Sequence, residues 1–194
     1  MNLPEEALRR FDESMARAVA AGEPEPTAMC LATRAGDGGV SARMVLLKEH
    51  DERGFVFYTN TLSNKGRQLA DTPAAALVFH WKATEEQVRV EGAVEPVSDA
   101  EADAYFATRD RRSQLGAWAS KQSEPLANRA VLVGRVVETE ARYVGREVPR
   151  PPHWSGYRVR PHMVEFWYGK AHRLHDRFRF TLRDGDWVRE RLYP

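Results

Sequence analysis

Between Thr27 and Glu95 the chain reads as short apolar stretches punctuated by turns. That succession limits the available folds more than any other feature. Thr27–Thr33, Val40–Lys48, Gly54–Thr59, Ala74–Trp81 and Glu86–Glu95 each have the length and the β-branched or aromatic content of a strand. Gly36-Asp37-Gly38-Gly39 turns the chain between the first two. Strands joined by short polar turns predict an antiparallel barrel or sandwich rather than βαβ units. Four more strands are expected over Tyr157–Arg160, Met163–Tyr168, His172–Leu182 and Trp187–Leu192. Asp184-Gly185 is a hairpin-turn signal between the last two.

Helices are expected around this β framework, which makes the class mainly β (α+β). Residues 4–20 carry Leu8, Phe11, Met15 and Val19 at the helical period, with Pro4, Glu5 and Glu6 suited to the first turn. Two prolines in Gly22-Glu23-Pro24-Glu25-Pro26 end that helix. Ser63–Leu69 reads as a short helix. Ser98-Asp99-Ala100-Glu101 is a capping box opening a helix to about Thr108. Ser123 is a candidate cap for another, with Leu126, Ala130, Val133 and Val137 as its apolar stripe. Gly145–Ser155, with three prolines, reads as a linker within one fold. At about 150 residues per domain, 194 residues predict a single domain over 1–194.

Charge excludes some functions. Lys plus Arg is 29 and Asp plus Glu 28, a net +1 that argues against a dedicated nucleic-acid binder. The balance hides an asymmetry: residues 145–194 hold 11 Lys/Arg and 6 Asp/Glu, a surplus that could serve a small anion. No apolar stretch approaches the roughly 20 residues of a membrane span. The first ten residues lack an apolar signal core, so a cytoplasmic location is expected. The single cysteine, Cys30, lies in an apolar run and reads as a buried, inert thiol.

Four constellations could carry chemistry. Arg43-Met44-Val45-Leu46-Leu47-Lys48 brackets four apolar residues with two cations; a core strand with polar ends is the plainer reading. Tyr58-Thr59-Asn60-Thr61-Leu62-Ser63-Asn64-Lys65 brings hydroxyls, free N–H groups and a lysine to a helix start, a phosphate cradle or an ordinary cap. Tyr105 and Arg109 share a helix face and could meet Ser113 around a phosphate, although cations at a helix end are favourable anyway. On a strand, Arg173, His175 and Arg177 would share one face and need an anion, unless the edge is solvated. His172 and His175 lack the partners of a zinc site, so no metal is expected. There is no G-x-S-x-G nucleophile elbow. A bound organic cofactor carrying phosphate fits these residues better than self-contained acid–base catalysis.

Taken in order, RMVLLK (43–48), FYTN (57–60), SNK (63–65), QVRVEG (87–92), YFATRDRRSQLGAWASKQS (105–123), EFW (165–167) and HRLHDR (172–177) resemble the pyridoxine (pyridoxamine) 5′-phosphate oxidase family. The resemblance runs from about Thr27 to Pro194. It implies an FMN-binding split β-barrel, antiparallel and Greek-key-like, with flanking helices. It also implies a homodimer with FMN at the subunit interface. The matching positions put Arg43 and Lys65 on the FMN phosphate, with Asn64 where many members carry a second basic residue. The backbone of Arg43–Lys48, including Met44, Val45, Leu46 and Leu47, lies along the flavin, and Tyr58, Thr59 and Gln87 match further flavin contacts. Gln122 and Ser123 match contacts to the partner's FMN, and Trp167 and Arg177 complete that site. Lys48, Tyr105, Arg109 and Ser113 match the substrate-phosphate set; Arg173 and His175 match residues over the pyridine ring, the catalytic pair.

The implied reaction oxidises pyridoxamine 5′-phosphate or pyridoxine 5′-phosphate to pyridoxal 5′-phosphate, with hydride transfer from C4′ to flavin and reoxidation by O₂ to H₂O₂. The chain begins close to its first helix, so substrate closure by a longer N-terminal arm, found in some members, is not expected. Two alternatives carry over: a same-fold flavin oxidase for another aromatic substrate, of the phenazine type, and a non-catalytic flavin or pyridoxal-phosphate carrier. Nucleic-acid binding by Arg109–Arg112 is disfavoured by the charge balance.

Overall fold

A computed structural model describes residues 1–194. The strands are β1 (Ala28–Arg34), β2 (Val40–Leu46), β3 (Glu49–Asp51), β4 (Gly54–Asn60), β5 (Ala74–Trp81), β6 (Glu86–Pro96), β7 (Trp154–Tyr168), β8 (Asp176–Arg183) and β9 (Asp186–Leu192). The helices are α1 (Glu5–Ala20), α2 (Asn64–Asp71), α3 (Asp99–Thr108), α4 (Arg111–Ala119) and α5 (Arg129–Arg142). Every strand pairing is antiparallel, in the order β2-β1-β5-β6-β7-β4-β3, with β8 and β9 added along β7. The two ends of that order are one piece of chain. Leu47 N–H donates to Thr27 O beside β1 (2.8 Å) and Lys48 N–H to Val56 O on β4 (2.9 Å). The sheet therefore curls into a split barrel, and Lys48 sits at its seam.

The barrel fills with apolar side chains from alternate strand positions. Phe11 of α1 enters this core edge-on to Phe55 and Phe79, with ring centroids 5.0 and 5.1 Å apart. Burying a side chain of this size contributes roughly 1.5–3 kcal/mol. α1 buries Ala7, Phe11, Ser14 and Ala18, so its core stripe is rotated from the expected one and Val19 is exposed. The small residues let the helix approach the sheet closely.

Four expectations change with tertiary context. Tyr157–Arg160 and Met163–Tyr168 are one strand: Arg160 pairs with Ala93 and Pro161 with Gly92, then Met163 with Glu91, so His162 bulges out. Pro161 lacks an N–H and is accommodated at this irregularity. A Cβ on Gly92 would lie 2.1 Å from Arg160 O, so only glycine fits opposite the bulge. α4 was not expected; Asp110 caps it by accepting from Ser113 N–H at 3.0 Å. α5 is capped by Asn128, not Ser123, and none of its residues is buried, so its apolar stripe is unpartnered in the single chain. Cys30 is half-buried rather than buried.

The cation surplus after residue 145 is largely neutralised across the fold. Arg158, 4% exposed on β7, reaches Asp51 on β3 (2.9 Å) and Glu101 on α3 (3.0 Å). Arg150 pairs with Asp99 and Asp103, Arg160 with Glu95, and Arg189 with Glu6. The surplus thus stitches the last strands to the preceding chain rather than waiting for an anion. Removing Arg158 leaves Asp51 and Glu101 part-exposed and still near Arg53, and empties a buried position. Arg158→Ala is expected to lower the unfolding free energy by about 1–3 kcal/mol, read by urea denaturation, and Arg160→Ala at the exposed pair by about 0–1 kcal/mol.

Candidate active site

β2, β4, α3, α4 and the start of β7 enclose a cavity of about 470 Å³. Ligand cavities usually span about 300–1,000 Å³. Met44, Val45 and Leu46 form one apolar wall, and Lys48 stands at the seam. Tyr58 and Thr59 come from β4, Lys65 from α2, and Tyr105, Arg109 and Ser113 from α3 and the junction to α4. These side chains are far apart in sequence and meet because the barrel seam and the α3–α4 corner face each other. Gln122 also lines the cavity.

Lys65, which lines the cavity, and nearby Arg43 have only neutral hydrogen-bond partners. Lys65 Nζ donates to Gln122 Oε1 (2.7 Å), Thr59 Oγ1 (3.2 Å) and Ser63 Oγ (3.4 Å). Arg43, just behind the cavity wall, donates to Leu31 O (3.1 Å), Thr33 Oγ1 (2.5 Å), Ser41 Oγ (2.6 Å) and Gln68 Oε1 (3.1 Å). Burial, with the nearby Arg43 charge adding to it, pushes the Lys65 ammonium below its ordinary 10.5. Lys65 lies in the first turn of α2, where the helix dipole also favours an anion. Gly66 makes this turn possible, because a Cβ there would lie 2.1 Å from Thr61 O.

Arg109 also lines the cavity. Its Nη1 is buried without a hydrogen-bond acceptor, and burial lowers the guanidinium below its usual range. An arginine stays charged regardless, so this is a third cation without a salt-bridge partner. Burial and the Glu49 carboxylate raise the Tyr58 phenol, which keeps its proton at neutral pH.

The remaining expected residues form a second patch. His175 and Trp167, ring centroids 4.5 Å apart, line a separate hollow of about 320 Å³ with His80, Lys82, Glu85 and Lys170. Gln87 pairs across strands with Trp167 and His80. Alternation predicts Arg173, His175 and Arg177 on one strand face; they do not share one. Arg173 lies in a short 3-10 turn, Ala171–Arg173, with His172 and Arg173 at φ 57° and 62°, and β8 starts only at Asp176. Lys170 N–H donates to His175 Nδ1 at 3.1 Å, so a neutral His175 carries its proton on Nε2. Arg177 is already paired with buried Glu165 at 2.6 Å.

Some positions fall outside both hollows. Leu47 points into the core. Asn64 is exposed, accepts from Arg67 at 2.7 Å, and donates its N–H to Ser123 Oγ at 3.2 Å. Ser123 and Gln122 thus sit against their own chain's α2, where the resemblance placed them on a partner's cofactor. Asn60, Gly116, Ala117, Ser120 and Trp154 also line the cavity and were not singled out as site residues. Small residues four apart in Gly116–Ser120 signal a helix face left open for a ligand. Trp154 was hidden in the proline-rich linker.

A family model described as pyridoxamine 5′-phosphate oxidase matches residues 15–143, and one described as the pyridoxine 5′-phosphate oxidase C-terminal dimerisation region matches residues 154–194. The chain belongs to the pyridoxamine 5′-phosphate oxidase family. It is 55% identical to the pyridoxine/pyridoxamine 5′-phosphate oxidase of Myxococcus xanthus over 99% of this chain and 93% of that protein. To the enzyme of the same name from Zymomonas mobilis it is 54% identical, over 96% and 97%. Among solved structures, PhzG from Burkholderia lata 383 in complex with tetrahydrophenazine-1-carboxylic acid superposes with a TM-score of 0.93 at 34% identity, over 98% of this chain and 94% of that one. A pyridoxamine 5′-phosphate oxidase-related, FMN-binding protein of Nostoc punctiforme shares the fold, with a TM-score of 0.76 at 16% identity over the whole of both chains. Like its relatives, this member of the oxidase family is an oxidoreductase on an antiparallel split barrel.

The lowered Lys65 sets a pH dependence. A phosphate group bound there favours the ammonium, so affinity is full while Lys65 is protonated and falls as pH rises through its lowered value. FMN affinity, followed by fluorescence quenching, is expected to decline before pH 10.5, where an exposed lysine titrates. Lys65→Arg, which keeps its proton, is expected to remove that lysine-dependent part of the decline.

Proposed function

We propose that this chain is an FMN-dependent oxidase that converts pyridoxamine 5′-phosphate and pyridoxine 5′-phosphate to pyridoxal 5′-phosphate. One observation carries the reading: a single cavity is lined by Lys65 and Arg109, two cations without a salt-bridge partner, and by the apolar Met44–Leu46 wall. That lining suits phosphate groups together with flat rings. The residues fit FMN: Lys65, supported by Arg43, for the phosphate, and the Met44–Leu46 edge with Tyr58 and Thr59 for the ring system. When bound, the flavin supplies a two-electron acceptor for the hydride of C4′ that O₂ restores, with H₂O₂ as the product.

The chain's own groups do the positioning. Arg109, Lys48, Tyr105 and Ser113 hold the substrate phosphate, which is remote from the reacting carbon. Binding energy gained there can hold C4′ at reacting distance. His175 lines the other hollow and Arg173 lies in the turn just before it, so the complete site needs two copies of the chain. The match of residues 154–194 to a dimerisation region supports a homodimer with cofactor at the interface. In it, His175 Nε2–H and the Arg173 guanidinium from the second copy would face the substrate ring. Loss of hydride and proton from the amine leaves an imine, which water hydrolyses to the aldehyde and ammonia; the alcohol gives the aldehyde directly. No helix is long and apolar enough to cross a membrane, and a cytoplasmic location is part of this proposal.

Likeness to PhzG keeps an aromatic substrate without phosphate as a second reading. The buried, unpartnered Arg109 favours the phosphate ester. Anaerobic addition of pyridoxamine 5′-phosphate to the FMN-loaded protein is expected to bleach the flavin absorption, and air to restore it with release of H₂O₂. Absence of turnover with both phosphate esters would overturn the reading. Arg173→Ala is expected to slow turnover about 10- to 100-fold, the worth of one charge-assisted hydrogen bond of about 1.5–3 kcal/mol, while FMN affinity changes far less.

A further inference from the structure

Arg109 is held in place without a carboxylate. The neighbouring Asp110 uses its side chain to cap α4, accepting from Ser113 N–H at 3.0 Å. No salt bridge involves Arg109, and its Nη1 is buried without an acceptor. What the guanidinium does touch is aromatic: its central carbon lies 4.8 Å from the Trp154 ring centroid and 5.7 Å from that of Phe106. Trp154 is 6% exposed and packs with Phe106, Leu115 and Val148. Its ring is also nearly parallel to those of Tyr58 (5.3 Å, 6°) and Tyr105 (6.1 Å, 5°), which stack on each other at 4.1 Å.

We propose that Trp154 is the positioning residue of the phosphate end: its indole face, backed by the Phe106 cluster, holds Arg109 and aligns Tyr105, leaving guanidinium N–H groups free for the substrate's phosphate. A carboxylate holding the same arginine would occupy those N–H groups and cancel the charge. A ring face attracts the cation and consumes neither. The tryptophan thus fixes a buried cation while keeping it available. Trp154 acts through Arg109 and Tyr105, not on the reacting carbon. This inference rests on the assignment of Arg109 and Tyr105 to a substrate phosphate.

The test compares Trp154→Leu, Trp154→Phe, Arg109→Ala and the Trp154→Leu/Arg109→Ala double variant, each saturated with FMN. The readout is the ratio of kcat/KM for pyridoxamine 5′-phosphate to that for phosphate-free pyridoxamine. Trp154→Leu is expected to lower this ratio about tenfold, mainly through KM, and Trp154→Phe, with a weaker ring face, by about threefold. The double variant is expected to fall well short of the product of the two single losses, any loss beyond Arg109→Ala being the part exerted through Tyr105. A structural role only would lower both substrates together; an unchanged ratio, or losses that multiply in the double variant, overturns the proposal. Should Trp154→Leu fail to fold, Trp154→Phe carries the same comparison. Calorimetric titration of inorganic phosphate into the FMN-saturated proteins gives a readout without turnover. Weaker binding in the Trp154 variants supports the proposal, and equal binding overturns it. If the wild type oxidises neither amine, the functional reading fails, and the phosphate titration alone decides the role of Trp154.

Discussion

The pairing of β7 is the constraint on which the rest depends. Its first half bonds to β4 and closes the barrel; its second half bonds to β8 and carries the C-terminal hairpin; β6 runs along its other edge throughout. One strand therefore supports both hollows. Trp154 begins it on the cavity side, and Trp167 lies near its far end beside His175. The bulge at Gly92 and Pro161 falls between these halves, where the added twist lets one strand serve two partners. Buried Arg158 locks the first half to β3 and α3.

The site is built against local stability. Lys65 and Arg43 are close enough to repel, Lys65 occupies a helix N-terminus, and Arg109 lacks a counter-charge. Each arrangement costs free energy in the ligand-free chain that a phosphate would return. The fold offsets this with neutral acceptors (Thr59, Ser63, Gln122, Thr33, Ser41 and Gln68) that solvate the cations without cancelling them. Elsewhere the same residue types are fully paired, as at Arg158, Arg177 and Arg150. The contrast sets Lys65, Arg43 and Arg109 apart as cations without a carboxylate partner.

Much of the fold was legible because strands and caps are local. The first five stretches became strands at nearly their expected bounds, and Ser98 and Glu101 form the expected capping box. Errors fell where distant packing overrode local signals. Pro161 reads as a strand break but is absorbed by a bulge that only a paired Gly92 permits. His172 and Arg173 read as strand, yet their left-handed backbone makes the corner before β8. α4 was missed because Arg109–Arg112 read as the end of one helix, whereas Asp110 starts the next.

By itself the sequence determined an antiparallel β framework, the phosphate-seeking residue types, and membership of the oxidase family through long motifs. Tertiary structure alone decided which cations remain free. Arg43, Lys65 and Arg109 form no salt bridge, while Arg177 meets Glu165 and Arg150, Arg158, Arg160 and Arg189 of the basic tail meet acids from the chain before it. The physical reason is range. A strand or a cap is specified by neighbours a few residues away, but neutralisation requires two charges within about 4 Å. Which charges come that close depends on segments separated by more than a hundred residues, as at Arg158–Asp51 and Arg189–Glu6, and so on the fold.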